Sequence, residues 1–260
     1  MNLKIFGAAV LFAGFAQSSF GAIISNGFFD ISGTVFITNP ESTLVSTPAG
    51  NCPANRSCVY WQDGAGTHNE EVDISAAGLP NGNIPTSIAG NDGANMLDLL
   101  SPPDLVGSTI NVPDFMTFNN GGITTTLTLT YIALGIYSST DCGLTAAVGQ
   151  TCSEPGSMFN WVNNPPPSGQ ATATWVFEGT TNTPGVLWIG NFTSQFPANT
   201  PFQTVFSELS NGGYVENTFS GTITLIQAPE PGTIGLLAIG AGLVATRFLL
   251  RKRRSQKRIL

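Results

Sequence analysis

Positive charge is almost missing from the middle of this chain. Residues 22–228 hold Arg56 and no lysine, against fifteen of the sixteen acidic residues, so the stretch carries −14 while the whole chain carries −7. A surface of that kind cannot neutralise phosphates, which excludes nucleic acid and disfavours anionic membrane surfaces; divalent cations and cationic polymers suit it better. Acidity spread among Thr, Asn, Ser and Gly also serves plain solubility outside a cell. Histidine is scarce too: His68 stands alone. Any nucleophilic triad would have to take its base from this residue, and a lone loop histidine near Glu70, Glu71 and Asp73 reads as solvated. Cysteine is limited to Cys52, Cys58, Cys142 and Cys152, none at CxxC spacing, which with one histidine excludes the usual zinc sites.

The ends supply what the middle lacks. Residues 1–21, "MNLKIFGAAVLFAGFAQSSFG", place Lys4 ahead of an apolar core from Ile5 to Ala16 and small residues up to a cleavage point after Gly21. These are the three parts of a secretory signal peptide. Toward the other terminus, Gly232 to Leu250 is an apolar run whose one charge, Arg247, lies close enough to the end to snorkel. At about 1.5 Å per residue it reaches roughly 28 Å, near the thickness of a hydrocarbon core, and predicts a transmembrane helix. Arg251, Lys252, Arg253 and Arg254 follow as a basic stop that stays in the cytoplasm, so residues 22–228 are expected to be exported. Ahead of the run, Pro229 and Pro231 forbid regular helix and hold Glu230 in extended backbone open to a processing enzyme.

Pro229, Glu230 and Pro231, then a glycine-rich apolar run, then the Arg251–Arg254 cluster: in this order the tail resembles the PEP-CTERM sorting signal. In Gram-negative bacteria that make exopolysaccharide, that signal is processed by the membrane enzyme exosortase. The resemblance covers residues 229–260 and implies exosortase as a partner. It also implies the inner membrane as a transient single-pass anchor, and the cell surface or an extracellular polysaccharide or biofilm matrix as the destination. It says nothing about the chemistry of residues 22–228. A sortase signal would need Leu-Pro-x-Thr-Gly before the run, and a GPI signal would not end in so many charges.

Residues 22–228 suffice for one domain with a substantial core. Strand patterns dominate it. In "GGITTTLTLTYIALGIY", Thr124, Thr126, Thr128 and Thr130 alternate with Leu127, Leu129 and Tyr131, the period of a half-buried strand. Beyond Tyr131, the apolar Ile132, Leu134 and Ile136 predict a portion covered on both faces. Further strands are expected from Phe28, Ala171, Gly185 and Asn217, the first and last sharing Ser-Gly-Thr at Ser32 and Ser220 and expected to lie near each other. One helix is predicted, with Thr200 as N-cap, Pro201 at the first position, Gln203 closing a capping box, and a core-facing stripe of Phe202, Val205, Phe206 and Leu209. The stretches Pro40 to Arg56, Ala76 to Pro103 and Pro165 to Pro167 read as surface loops. The expected architecture is all-β, a β-sandwich of jelly-roll-like or Ig-like type with one or two short helices.

An even cysteine count in an oxidising compartment argues for disulfides, and Cys52–Cys58 with Cys142–Cys152 is favoured because each pair falls within one Gly/Pro/Asn-rich loop. Asn91, Asp92, Asn95 and Asp98 gather oxygen donors around Gly93 and make a candidate calcium site, although the same residues also make an ordinary turn. No other cofactor and no catalytic residue is assigned. The expected function is that of an exported, non-enzymatic surface or matrix protein. Two alternatives stay open. One is a glycan-binding module stacking sugars on Trp61, Trp161, Trp175 or Trp188, of which Trp175 and Trp188 fall in strand patterns and read as core. The other is a secreted glycoside hydrolase drawing paired carboxylates from Glu70, Glu71 and Asp73, where adjacent Glu70 and Glu71 on a strand would face opposite ways.

Overall fold

The computed structural model describes residues 26–38, 57–62, 71–79, 83, 85–86, 93–100 and 105–227. In chain order its strands are β1 (Gly27–Thr38), β2 (Cys58–Gln62), β3 (Glu71–Ala77), β4 (Gly93–Met96), β5 (Leu99–Leu100), β6 (Thr109–Asn120), β7 (Ile123–Ile132) and β8 (Thr151–Cys152). They continue with β9 (Asn160–Asn163), β10 (Ala171–Thr181) and β11 (Val186–Gln195), then helix α1 (Phe202–Gly212) and β12 (Tyr214–Gln227). Eight of them form a closed antiparallel ring in the order β11, β12, β1, β3, β4, β6, β7, β10, with β10 bonded back to β11.

The expected sandwich is therefore corrected to a barrel. The bonds that decide it run along β10 and β11, from Thr172 opposite Gln195 to Thr180 opposite Leu187, and leave the ring without a free edge. Alternation within a strand reports one buried face, and both architectures bury one face of every strand; closure depends on which distant strands meet. The Ser-Gly-Thr strands do meet: β1 and β12 pair along their length with Ser32 opposite Ser220.

Inward positions on successive strands alternate large aromatics with glycines. Trp188 and Phe192 on β11 flank Gly190, while Phe177 on β10 precedes Gly179 and Phe219 on β12 precedes Gly221. At Gly179 a Cβ would collide with the Thr128 carbonyl and the Trp188 indole, and its absence lets Trp188 Nε1 donate to that carbonyl at 3.0 Å. The interior is filled: Trp175 stacks on Phe192 with rings 5.5 Å apart and 4° from parallel, and Trp61 meets Phe219 edge-on at 5.1 Å. A small barrel of eight strands has room inside for side chains and little else.

Three local expectations change. In β7 the period breaks at a bulge, since Tyr131 lies opposite Glu178 while Leu129 lies opposite Gly179, leaving Thr130 extra. The phase shifts by one residue there, so Ile132 turns inward in place of Tyr131. The strand then ends, and Leu134 and Ile136 are 46% and 82% exposed, the opposite of a doubly covered segment. The stretch from Ala76 to Pro103 is not one loop, because β4 and β5 lie within it and bury Ala94, Met96 and Leu99. Its strands are four and two residues long, Gly-Ala-Asn-Met and Leu-Leu, too short to show a period, which masks their pairing with β3, β6 and β2. The capping box is absent too: Pro201 occupies the N-cap and offers no side-chain bond. The chain leaves α1 through Gly213, left-handed at φ 77°.

Residues 1–21 and 229–260 lie outside the described residues, as does Pro40 to Arg56. Among the described residues no helix is long and apolar enough to cross a membrane.

Candidate functional site

Two strands of the ring change partners partway along. Residues Phe29–Ser32 of β1 pair with β3, whereas Thr34–Ile37 pair with β2. Likewise Phe177–Thr181 of β10 pair with β7, whereas Ala171–Thr174 pair with β9. Both changes fall toward the same end, where β11 finishes and β12 starts. There the wall divides into a β2–β5 ribbon and a β9–β8 ribbon, with no ladder joining β2 to β9 among the described residues. Helix α1 packs across this end against β12 and β9.

The gap forms a pocket of about 190 Å³. Its walls come from Ile37 of β1, Val59 of β2, Trp161 of β9, Val215 of β12 and the inner face of α1, where Val205, Phe206 and Leu209 recur at helical spacing. Val106 and the turn from Glu154 to Phe159 add further wall. Pro155 and Gly156, the latter at φ 78°, make it a type II turn closed by Ser157 N–H donating to the Glu154 carbonyl at 2.9 Å. Ser157 is also fixed from outside, accepting from Gly135 N–H at 2.8 Å. The Cys142–Cys152 disulfide ties the strand just before the turn to the preceding loop.

Glu154 is the one ionisable side chain among the described lining residues. The residue as a whole is exposed, yet partial burial of its carboxyl against the apolar wall pushes the pKa above the ordinary 4.5. Sequence reasoning missed this residue. The available sign was Glu-Pro-Gly-Ser beside Cys152 and followed by Met158 and Phe159, an acid on a rigid turn leading into apolar residues.

A polar cluster holds α1 over the pocket. Asn163 is buried; its Oδ1 accepts from Phe202 N–H at 2.9 Å and its Nδ2 donates to Gln203 Oε1 at 2.9 Å. Gln203 Nε2 in turn donates to Gln150 Oε1 at 2.8 Å. The N-terminal cap thus comes from β9 and not from Thr200, and Gln203 points at Asn163 and Gln150 instead of back along its own helix.

The residues singled out from sequence are not brought together here. Cys142 and Cys152 are bonded, and Cys58 is disulfide-bonded too, while Cys52 lies outside the described residues. Of the candidate calcium ligands, Asn91 and Asp92 also lie outside. Asn95 sits in β4 opposite Thr117, and Asp98 Oδ1 accepts from Trp61 N–H at 3.1 Å, taking the place of a ladder carbonyl just beyond the β2–β5 pairing. Among the described residues no group of three or more His, Cys, Asp or Glu is placed to hold a metal ion. All four tryptophans are buried, Trp161 against the pocket and the others in the core, so none stands in an exposed aromatic row for a sugar chain. His68 and Glu70 lie outside the described residues, as do Pro229, Glu230, Pro231 and Arg251 to Arg254.

Fold and site together define a closed antiparallel barrel with a helix-capped apolar pocket at one end. No curated protein and no solved structure matches the chain. The family model of the PEP-CTERM protein-sorting motif matches residues 227–254, so the chain carries this sorting motif at its tail. The match begins at the last residue of β12, so the address starts where the barrel ends. The motif marks an exported protein handled by exosortase.

Proposed function

We propose that this protein is a non-catalytic component of the cell surface or extracellular polysaccharide matrix, held briefly at the inner membrane by its tail and released when exosortase cuts near Pro229 to Pro231. The observation that carries this reading is the sorting motif starting at Gln227, the last residue of β12, which lies opposite Val186 of β11. A cut beyond that point severs no barrel hydrogen bond. The charge of residues 22–228 supports the destination, since −14 favours contact with a matrix through divalent cations or cationic polymer. The filled interior supports a non-catalytic role, because aromatic rings occupy the space where an eight-stranded barrel would hold a substrate.

The test is to replace Pro229, Glu230 and Pro231 together by alanine in the host and follow the protein by fractionation and intact mass. Wild type should be recovered from the surface or matrix without Arg251 to Arg254, and the variant should stay full-length in the inner membrane. Normal processing of the variant would reduce Pro-Glu-Pro to a stiff spacer and remove the reading.

A further inference from the structure

We propose that the pocket beneath α1 is a binding site for a small organic amine, its apolar body held by Val59, Trp161, Phe206 and Leu209 and its ammonium group kept at the rim beside Glu154. Size comes first. A cavity of about 190 Å³ slightly exceeds the roughly 150 Å³ that accommodates benzene, so the body is a single ring or a short branched chain. The lining then sets polarity: apolar side chains line the depth, and Glu154 stands at the exposed edge on a turn fixed by its own hydrogen bonds. An amphiphile with one charged end fits that division, with its head still in contact with water.

The sign of the head follows from charge. Glu154 is the one ionisable group among the described lining residues, and the surrounding stretch of −14 concentrates cations at its surface and repels anions. Partial burial already disfavours the ionised Glu154 carboxylate, and an ammonium beside it offsets that cost. A carboxylate ligand of equal shape meets repulsion at the same point, and an alcohol has only the apolar contact.

Phenethylamine, 2-phenylethanol and 3-phenylpropionate share a ring and a two-carbon linker and differ in the head. Each is titrated into the protein recovered from host cells, with intrinsic tryptophan fluorescence and calorimetry as readouts. The amine should bind about twofold to fivefold more tightly than the alcohol, and the carboxylate most weakly. Glu154→Gln should make amine and alcohol equal while leaving alcohol binding intact, which also reports that the variant is folded. Leu209→Trp, which fills the pocket, should remove binding of the amine. Equal amine and alcohol affinity in the wild type, or an amine preference that survives Glu154→Gln, would overturn the proposal, and so would amine binding unchanged by Leu209→Trp.

Discussion

The sealed half of the barrel and the half beneath α1 share strands but solve burial differently. In the sealed half, Phe115 and Trp188 lie 6.1 Å apart and 8° from parallel, and glycines on neighbouring strands make room for such rings. At the other end β2 and β9 diverge, and a cavity is left between Val59 and Trp161. There the cover is held by amides: Asn163, Gln150 and Gln203 bridge β9, the loop before β8 and α1. Stability is concentrated where rings interlock, and capacity for a ligand where polar side chains do the holding.

The largest effect that would test this contrast is in the ring stack. Trp175 is buried among Phe192, Phe159, Trp61 and Phe219, and its truncation leaves a large void that strands in a closed ring cannot collapse around. Trp175→Ala should cost about 3–5 kcal/mol, read from the denaturant midpoint at unchanged slope. A loss near 1 kcal/mol would mean that the interior repacks freely, and the contrast between the two halves would disappear.

A smaller effect is expected where amides hold the helix. Asn163→Ala orphans Phe202 N–H and the carbonyl of Gln203 and should cost about 1–3 kcal/mol. Asn163→Asp keeps the acceptor for Phe202 N–H but sets a buried carboxylate oxygen against the acceptors on Ala147, Gln150 and Gln203, so at neutral pH its cost should exceed that of alanine. Hydrogen exchange of α1 amides should accelerate in the same order while exchange in β11 stays slow. Equal acceleration in β11 would show that the end does not open independently.

The sequence carried the strands of this fold better than their closure. The Thr/Leu alternation of β7 and the alternating buried residues of β1 and β12 follow from period-two burial, and the stripe Phe202, Val205, Phe206 and Leu209 marks the inner face of α1. Closure was not legible, because the β10–β11 hairpin looks the same in a sheet with two edges as in a ring. The bulge at Thr130 was hidden for a related reason: an inserted residue shows only when the partner strand is known. Asn163 lies 39 residues from the amide it caps, beyond any local capping pattern. The tail was readable since an address is recognised as linear sequence, whereas the pocket is assembled from five separated segments, and Glu154 looked like any other loop acid.

The smallest expected effect bears on Glu154 and depends on pH. Its carboxyl is raised above the ordinary 4.5 by partial burial, so the folded protein holds that proton more tightly than the unfolded chain does. More protons on the native state means that stability falls as pH rises, starting near the unfolded value and finishing once pH has passed the folded one. Below that window Glu154 is neutral in both states and resembles glutamine; above it the desolvated carboxylate is a standing cost. Glu154→Gln should therefore match wild type in acid, apart from a constant offset, and gain on it as pH rises above 4.5. The gain should be small, because the residue is exposed and water screens much of the penalty. Melting temperatures of both proteins across the acid range check it, and a difference that stays flat, or wild type gaining on the variant, would mean that the rim of the pocket is as well solvated as the outer barrel wall.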